Sequence, residues 1–297
     1  MEFRPISLGN IVSRIISKVL ANHIKVILPN VISDSQSAFV PNRNITDNTT
    51  IAFEMLHHMR NRRKEKTCHM AAKLDISKAY DRVEWEFLRC IMLKIGLPNQ
   101  WVQLAMETVC TASYSILLSG EPTGFITPSR GIKQGDPLSS YLFLLCAEGF
   151  SSLIWKAIDN QHLKGVVSCK GRVKLSHLLF VDDSLLFCEA TTKECRNILD
   201  ILALYEAASR QAINRQKTTL FFSTNTNHGV KQAIQNMLGA QTIPTYSMSM
   251  FKFPKKICDD INSVLAKYWW GQARSDKKIH WINWGKLCKP KDKGNGL

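Results

Sequence analysis

Apolar and polar positions follow two different periods along this chain, and each period predicts one kind of element. Apolar residues recur at helical spacing in several segments, which we predict to be helices: 11–28, 49–63, 84–95, 99–109, 137–156 and 193–208. β-like runs at 70–74 and within 166–187 predict strands, and runs at 114–118 and 124–128 predict a hairpin around Gly120. The pattern therefore indicates a protein that mixes helices with sheet.

The first predicted helix is apolar on one face and basic elsewhere. Its apolar run is interrupted by Arg14, Lys18, His23 and Lys25, which favours an amphipathic helix facing a core over a membrane span or a signal peptide. The nine cysteines form no Cys-x-x-Cys pair and no zinc-like cluster, so we expect reduced, mostly buried thiols. We therefore expect an intracellular protein, nuclear or cytoplasmic, with no membrane partner.

The composition adds a strong positive charge to this picture. Hydrophobic residues make up 45% of the 297 residues, as in an ordinary globular protein, but the formal net charge is +15. Such an excess attracts polyanions, which makes nucleic acid the leading partner class. Between 231 and 297 basic residues are interleaved with four of the seven tryptophans. This segment is either a surface that binds a nucleic-acid backbone or a small Trp-rich core with a charged surface.

Acidic residues stand at the ends of two predicted strands. Asp182 and Asp183 lie between apolar runs, which places them at the tip of a hairpin, and Asp75 ends the strand 70–74. Alone, two acids at a turn do no more than satisfy turn backbone in most proteins. Here a glycine-bracketed polar loop, Gly131 to Ser139, lies between the two acidic sites and leads into an apolar helix.

These three segments, in this order, resemble motifs A, B and C of the palm of a reverse transcriptase. Further segments are similar to the reverse transcriptase of LINE-type (non-LTR) retrotransposons, in the form common in plant genomes. They cover nearly the whole chain: 3–8, 36–43, 73–85, 131–148, 243–249, 268–271 and 281–284.

The resemblance implies an α+β right-hand polymerase fold, with fingers, a palm built on an antiparallel sheet and a truncated thumb-like C-terminal part. On this basis we expect fingers at 1–66, truncated at the N-terminus. The palm, with a returning finger segment, would occupy 67–223, and a basic, Trp-rich thumb or connection remnant would occupy 224–297.

The resemblance also implies nucleotidyl transfer assisted by two metal ions. Mg²⁺ prefers hard oxygen ligands, and like-charged carboxylates held together would repel one another without a cation. We therefore expect Asp75, Asp182 and Asp183 to be the catalytic carboxylates and metal ligands, with the Ile76 carbonyl completing the shell. The cofactor would be Mg²⁺, with Mn²⁺ as an alternative.

Nucleotide-binding roles follow from the same resemblance. Tyr80 would be an aromatic steric gate beneath the sugar, and Gln134 and Gly135 would border the nascent base pair. Arg4 and Arg43 would contact the triphosphate. Lys217, in an Asn-x-x-Lys motif, would donate a proton to the departing pyrophosphate. Asp81 and Asp136 are weaker candidates for the metal site, since a helix cap is the expected role of Asp81 and a loop-shaping role that of Asp136. Lys73 is a further candidate for the triphosphate contact, against the simpler interpretation of a solvated surface lysine.

Three departures from the family pattern bear on activity. Val181 replaces the usual alanine, Arg210 stands where the family has glycine, and a segment normally inserted near 238–242 is absent, which would remove part of the primer grip. The predicted function is that of a fragment of a non-LTR retrotransposon reverse transcriptase that uses an RNA template, a DNA primer and dNTPs. The alternatives are an inactive nucleic-acid-binding remnant and a maturase related to intron-encoded proteins.

Overall fold

The helices lie close to the positions that the apolar spacing predicts. The computed structural model describes residues 10–62, 66–167 and 174–242; Arg4 and the basic, Trp-rich segment from residue 243 lie outside them. The helices are α1 (Ile11–Val31), α2 (Ile45–Asn61), α3 (Trp85–Lys94), α4 (Asn99–Cys110), α5 (Ser139–Asp159), α6 (Thr192–Ser209) and α7 (His228–Leu238). Side-chain caps begin three of them: Asn10 for α1, Thr191 for α6 and Asn227 for α7.

The central sheet is mainly antiparallel. The strands are β1 (His69–Ser77), β2 (Tyr114–Leu118), β3 (Glu121–Ile126), β4 (Val166–Val167), β5 (Lys174–Leu175), β6 (His177–Phe180), β7 (Asp183–Glu189), β8 (Ala212–Ile213), β9 (Thr219–Phe222) and β10 (Gln241–Thr242). The central order is β10-β9-β1-β7-β6, with β8 paired to β1, and β10 pairs with β9 in parallel. Strands β2 and β3 form the predicted hairpin.

The two faces of β1 meet different surroundings. Met70, Ala72 and Leu74 join a core cluster that includes buried residues of α3, α5 and α6. Successive side chains of a strand point to opposite faces, so Lys73 and Asp75 lie on the other face. Helix α2 contacts β1, β6 and β9. Ala71 is fully buried at one end of this second face, whereas Lys73 and Asp75 remain partly exposed. This open end of the sheet provides room for a site.

Helix α1 differs from its prediction in the first half. Leu20, Ile24 and Leu28 are buried, as expected for a core-facing helix. Ile11 and Ile15, however, are 76% and 59% exposed, because in the described residues the core packs mainly against the later turns of the helix. The apolar spacing alone could not show which turns of the helix would meet the core.

Helix α5 is the most apolar helix that the structure describes. By length and composition it is the one helix in the described ranges that could cross a membrane, which is weak evidence because core helices pass the same test. Phe143, Leu144, Leu145 and Cys146 are fully buried in the protein core. The six cysteines in the described part of the chain are free, and half of them are buried.

The C-terminal cap residue of α6 is Arg210, the residue that stands where the family has glycine. This residue has φ 58° and ψ 8°, the left-handed conformation that helix ends reserve mainly for glycine. Arg210→Gly is therefore expected to raise the free energy of unfolding by about 1 kcal/mol. Urea unfolding of the two proteins measures the change.

A reciprocal substitution provides the control. Gly239 ends α7 with φ 62°, and a Cβ there would meet its nearest atom at 3.9 Å. Gly239→Arg should therefore lower the free energy of unfolding by about as much as Arg210→Gly raises it. Equal stability of the wild type and Arg210→Gly would show that the left-handed backbone at this position is not strained.

Candidate active site

The pairing of β1 with β7 brings two of the predicted acids together. Asp75 lies directly opposite Asp183 in the antiparallel ladder, so both side chains lie on the same face of the sheet. Phe180 pairs with Asp183 and closes a two-residue turn formed by Val181 and Asp182. The acidic hairpin inferred from the sequence is therefore present next to the end of β1, with Asp182 in the turn, but Asp183 is the first residue of β7 and not part of the turn.

The turn at this tip has an unusual backbone. Val181 has φ 55°, a conformation that β-branched residues rarely adopt. Its N–H donates to Oε1 of Gln36 at 3.4 Å, and the same oxygen accepts from the Ala38 N–H at 3.0 Å. The Leu179 N–H also donates to the Ser35 carbonyl at 2.7 Å. The loop after α1 thus supports the hairpin, a role of Gln36 that the sequence does not reveal.

A buried polar network ties the same loop to α5 and β6. Ser33 Oγ lies 3.0 Å from Ser151 Oγ, which lies 2.8 Å from His177 Nε2. Burial lowers the pKa of His177 to about 4. Burial also raises the pKa of Glu148, although the hydrogen bond from the Ser33 N–H opposes that rise. A neutral His177 and its hydroxyl partners hold β6 in place as it enters the acidic turn.

The Gly131 loop is fixed against the chain that follows Asp75. The Gly131 N–H donates to the Val83 carbonyl at 2.7 Å, and the Ile132 N–H donates to the Tyr80 carbonyl at 2.9 Å. Gly131 has φ +91°, and a Cβ there would lie 2.8 Å from the carbonyl oxygen of Asp81. Glycine is required at this close approach.

The expected loop-shaping role of Asp136 agrees with the structure. Its Oδ2 accepts from the Leu138 N–H at 3.0 Å, one residue before α5 begins. The expected capping role of Asp81 is wrong. Helix α3 begins at Trp85 with Glu84 as the cap residue, so Asp81 lies too early in the chain to cap it.

The Asn-x-x-Lys segment forms a turn beside Asp75. The Asn214 N–H donates to the Asp75 carbonyl at 2.7 Å, and Asn214 Oδ1 accepts from the Lys217 N–H at 3.2 Å. Strand β8, just before this turn, pairs Ile213 with Ile76. The turn is therefore anchored to the acidic end of β1.

One cavity unites most of the predicted site residues. Its volume is 430 Å³, large enough to admit a small ligand, and it is bordered by segments that are far apart in the sequence. The predicted residues that line it are Asp75, Ile76, Tyr80, Gln134, Gly135, Asp182 and Lys217. Asp81, Asp136 and Lys78 line it as well, so four carboxylates, a glutamine amide and two lysines converge on one cavity.

Tyr80 has a well-defined position in this cavity. Its ring stacks on Phe143, with centroids 5.0 Å apart and an interplanar angle of 7°. Burial raises the pKa of Tyr80, and the negative charge of Asp182 raises it further, while a hydrogen bond with Ser140 opposes the rise. Tyr80 therefore stays protonated at neutral pH and presents a rigid aromatic surface close to Asp182.

Asp183 occupies a different environment from the other two acids. Its Oδ1 lies 3.0 Å from Lys73 Nζ, and their side chains are 42% and 25% exposed. Lys73 is therefore an ion-pair partner and not a freely solvated surface lysine. Asp183 is absent from the cavity lining, and within the described ranges no group of three acidic, histidine or cysteine side chains is arranged to hold a metal ion.

The remaining donor set still suits Mg²⁺ bound together with a substrate. Mg²⁺ in phosphate-transferring sites is commonly held by one or two carboxylates plus substrate phosphates and water. Asp75, Asp182 and the Ile76 backbone all border the cavity and offer oxygen atoms of this kind. The residues present therefore fit a metal that arrives with a triphosphate better than a metal held by protein alone.

Arg43 is not brought to the cavity. Its guanidinium donates to the carbonyls of Ile32, Ser33 and Gln36 at 2.5 to 3.0 Å and to Asp34 Oδ1 at 3.2 Å. These bonds fix the loop after α1. The structure thus gives Arg43 a structural task in place of the expected triphosphate contact, while Arg4 lies outside the described residues.

Two solved telomerase structures share the fold of this chain. A telomerase from Candida tropicalis superimposes with a TM-score of 0.50 at 12% identity, over 70% of this chain and 33% of that one. A telomerase from Candida albicans gives a TM-score of 0.50 at 13% identity, over 73% and 36%. This similarity concerns the fold alone, which mixes helices and sheet.

Sequence comparison then identifies the family. Residues 1–272 match the family described as reverse transcriptase (RNA-dependent DNA polymerase). The chain therefore belongs to the reverse transcriptase family, and by ancestry it is an RNA-directed DNA polymerase. The family resemblance seen in the motifs is confirmed.

Relatives with curated sequences point to non-LTR retrotransposons. The Pol polyprotein of the R2DM element of Drosophila melanogaster is 28% identical over 188 residues, or 63% of this chain and 17% of that protein. The transposon TX1 149 kDa protein of Xenopus laevis is 28% identical over 223 residues, or 73% of this chain and 16% of that protein. The mitochondrial protein AtMg01250 of Arabidopsis thaliana is 43% identical over 76 residues, or 26% of this chain and 62% of that protein. The chain thus spans less than two thirds of each of these relatives.

Proposed function

We propose that the cavity binds a primer 3′-end and a deoxynucleoside triphosphate, and that the chain copies an RNA template into DNA. One observation carries this proposal: residues from four distant segments of a reverse transcriptase sequence line a single cavity. In this proposal residues 1–66 act as fingers, 67–223 as the palm with a returning finger segment, and 224–297 as a thumb or connection remnant.

The acids at the end of the sheet would hold Mg²⁺, or Mn²⁺ in its place, through Asp75, Asp182 and the Ile76 carbonyl. The bound ions would neutralise charge on the attacking 3′-oxygen, the transferred phosphate and the departing pyrophosphate. Catalysis of this kind depends mainly on positioning. The hydrogen bonds that fix the Asp182 turn and the Gly131 loop supply that positioning.

Polar residues around the cavity would orient the nucleotide. Gln134 and Gly135 lie at its edge in the loop before α5, where an amide side chain and exposed backbone can contact the nascent base pair. Lys217 lies on an exposed turn beside Asp75 and is positively charged, so it can stabilise the departing pyrophosphate and donate a proton to it.

Tyr80 would select the sugar. Its ring is held by Phe143 and cannot move aside easily for a 2′-hydroxyl. Tyr80→Ala is therefore expected to reduce discrimination against UTP relative to dTTP by at least about 10-fold. Single-nucleotide incorporation opposite rA measures the ratio of kcat/KM values.

Tyr80→Phe is the matched control, because it keeps the ring and removes the hydroxyl that bonds to Ser140. It should retain the selectivity of the wild type. Unchanged sugar selectivity in an active Tyr80→Ala protein would remove the gate assignment.

Primer extension tests the proposed reaction. The 297-residue chain is mixed with poly(rA), oligo(dT), dTTP and Mg²⁺, and incorporation is compared with that of Asp75→Asn. Incorporation by the wild type alone supports the proposal. Incorporation by the wild type that is no higher than that of Asp75→Asn contradicts the proposed reaction.

A second candidate is a catalytically inactive protein that binds nucleic acid. The net charge of +15 favours binding, and the described residues contain no three-member metal cluster. This candidate predicts RNA binding that weakens steeply with salt and no incorporation above that of Asp75→Asn. A maturase would instead bind one intron RNA far better than unrelated RNA.

A further inference from the structure

We propose that Lys73 is a positioning residue of this site: it is a built-in counter-ion that holds Asp183 away from the metal, which leaves Asp75 and Asp182 as the carboxylate ligands. This inference rests on the proposed function, because it concerns the metal site of that reaction. It departs from the prediction that all three aspartates are ligands.

The strand register places the three charged groups on one face. Asp75 and Asp183 are directly opposite each other, and Lys73 lies two residues before Asp75 on the same strand. Like charges directly opposite in an antiparallel pair destabilise the sheet. The Lys73 ammonium, 3.0 Å from Asp183 Oδ1, offsets this repulsion within the protein itself.

The same contact determines where the Asp183 carboxylate can act. The carboxylate pairs with Lys73, whereas Asp75 and Asp182 border the cavity. Drawing Asp183 into a metal site would require breaking the ion pair and leaving the charge of Lys73, whose side chain is only 25% exposed, beside a cation. Two cations close together repel one another, so Lys73 opposes a ligand role for Asp183.

Lys73 also limits how tightly the metal-free site can bind a cation. A positive charge near the two ligands lowers the affinity for a free divalent ion. A triphosphate brings negative charge of its own and overcomes this effect. The site is therefore adapted to accept the metal with the nucleotide.

Mn²⁺ binding to the full chain tests the proposal without any need for catalysis. Lys73→Met keeps most of the side-chain volume and removes the charge, and it should tighten Mn²⁺ binding about 10-fold, as measured by calorimetry. Lys73→Arg keeps the charge and should bind Mn²⁺ as the wild type does. Unchanged affinity in Lys73→Met would overturn the proposal.

The aspartates provide a second test that does not depend on Lys73→Met folding well. Asp183→Asn should change the Mn²⁺ affinity by less than about 3-fold, whereas Asp182→Asn should weaken it by at least about 10-fold. Equal weakening by both substitutions, or the absence of saturable Mn²⁺ binding to the wild type, would overturn the assignment of Asp183.

Stability in EDTA supplies a readout with no metal present. Lys73→Met should lower the unfolding temperature by about 2–4 °C relative to Lys73→Arg, because Asp75 and Asp183 then repel one another. Adding Asp183→Asn to Lys73→Met should recover most of that loss. If the double variant instead changes the unfolding temperature by the sum of the two single changes, the pairing of Lys73 with Asp183 is contradicted.

Failure of this inference can be distinguished from failure of the proposed function. If the variants show the expected Mn²⁺ affinities but the wild type does not extend a primer, the polymerase reaction is contradicted and the role of Lys73 is supported. Primer extension with Mn²⁺ binding that is insensitive to Lys73→Met contradicts the role of Lys73 alone.

Discussion

Asp182→Asn is expected to reduce nucleotide incorporation on the order of 10³-fold, because it removes one of the two carboxylates proposed to hold the metal. The turn places Asp182 at the cavity with Asp75, near enough to Tyr80 to raise the pKa of its hydroxyl. The amide is nearly isosteric but carries no charge, so it cannot neutralise a metal ion as a carboxylate does. Primer extension under single-turnover conditions measures the loss.

Asp183→Asn is the matched control on the same hairpin. It removes the same charge one residue away, but from a carboxylate that pairs with Lys73. Its expected effect on incorporation is about 10-fold or less, since it acts only through the position of its neighbours. Equal losses in the two variants would show that Asp182 has no special role. RNA binding should be retained by both, because the net charge of the chain changes little.

Gly131→Ala is expected to destabilise the protein by about 2–4 kcal/mol and to abolish incorporation by displacing the loop that carries Gln134. A Cβ at this position would lie 2.8 Å from the Asp81 carbonyl oxygen and 3.1 Å from two further backbone atoms of Asp81. Backbone atoms cannot move aside as the end of a side chain can. Urea unfolding measures the loss of stability, and primer extension measures the loss of activity.

Gly96→Ala separates steric overlap from backbone strain. Gly96 has φ +94°, almost the same as the φ of Gly131, but a Cβ at Gly96 would meet nothing within 4 Å. The variant should lose only about 1 kcal/mol and keep its activity. If the two alanine variants are equally stable, the close contact between the Gly131 loop and Asp81 does not exist in solution.

The sequence predicts the elements of this fold well because their signals are local. Apolar spacing places α3, α4 and α6 to within a few residues, and the acids at Asp75 and Asp182 stand out because they end apolar runs. Family motifs add Tyr80 and Gln134. Each of these inferences uses residues that are close together in the chain, or motifs whose order is enough to recognise them.

The interactions that the sequence does not reveal depend on how distant segments align. The Lys73–Asp183 ion pair requires the register of β1 against β7, and a slip of one residue would move Lys73 to the opposite side. The support of the Val181 turn by Gln36 joins residues from two separate motifs. Arg43 binds backbone carbonyls whose positions follow from the path of a loop, which no periodic pattern specifies.

The most direct test of the account is the position of Mn²⁺ in a crystal of the chain grown with a non-hydrolysable dTTP analogue. Anomalous diffraction locates the metal without relying on activity. We expect Mn²⁺ to be coordinated by Asp75 and Asp182 together with triphosphate oxygens, with the sugar above Tyr80. Mn²⁺ and triphosphate bound away from these two carboxylates would contradict the assignment of this cavity as a polymerase active site.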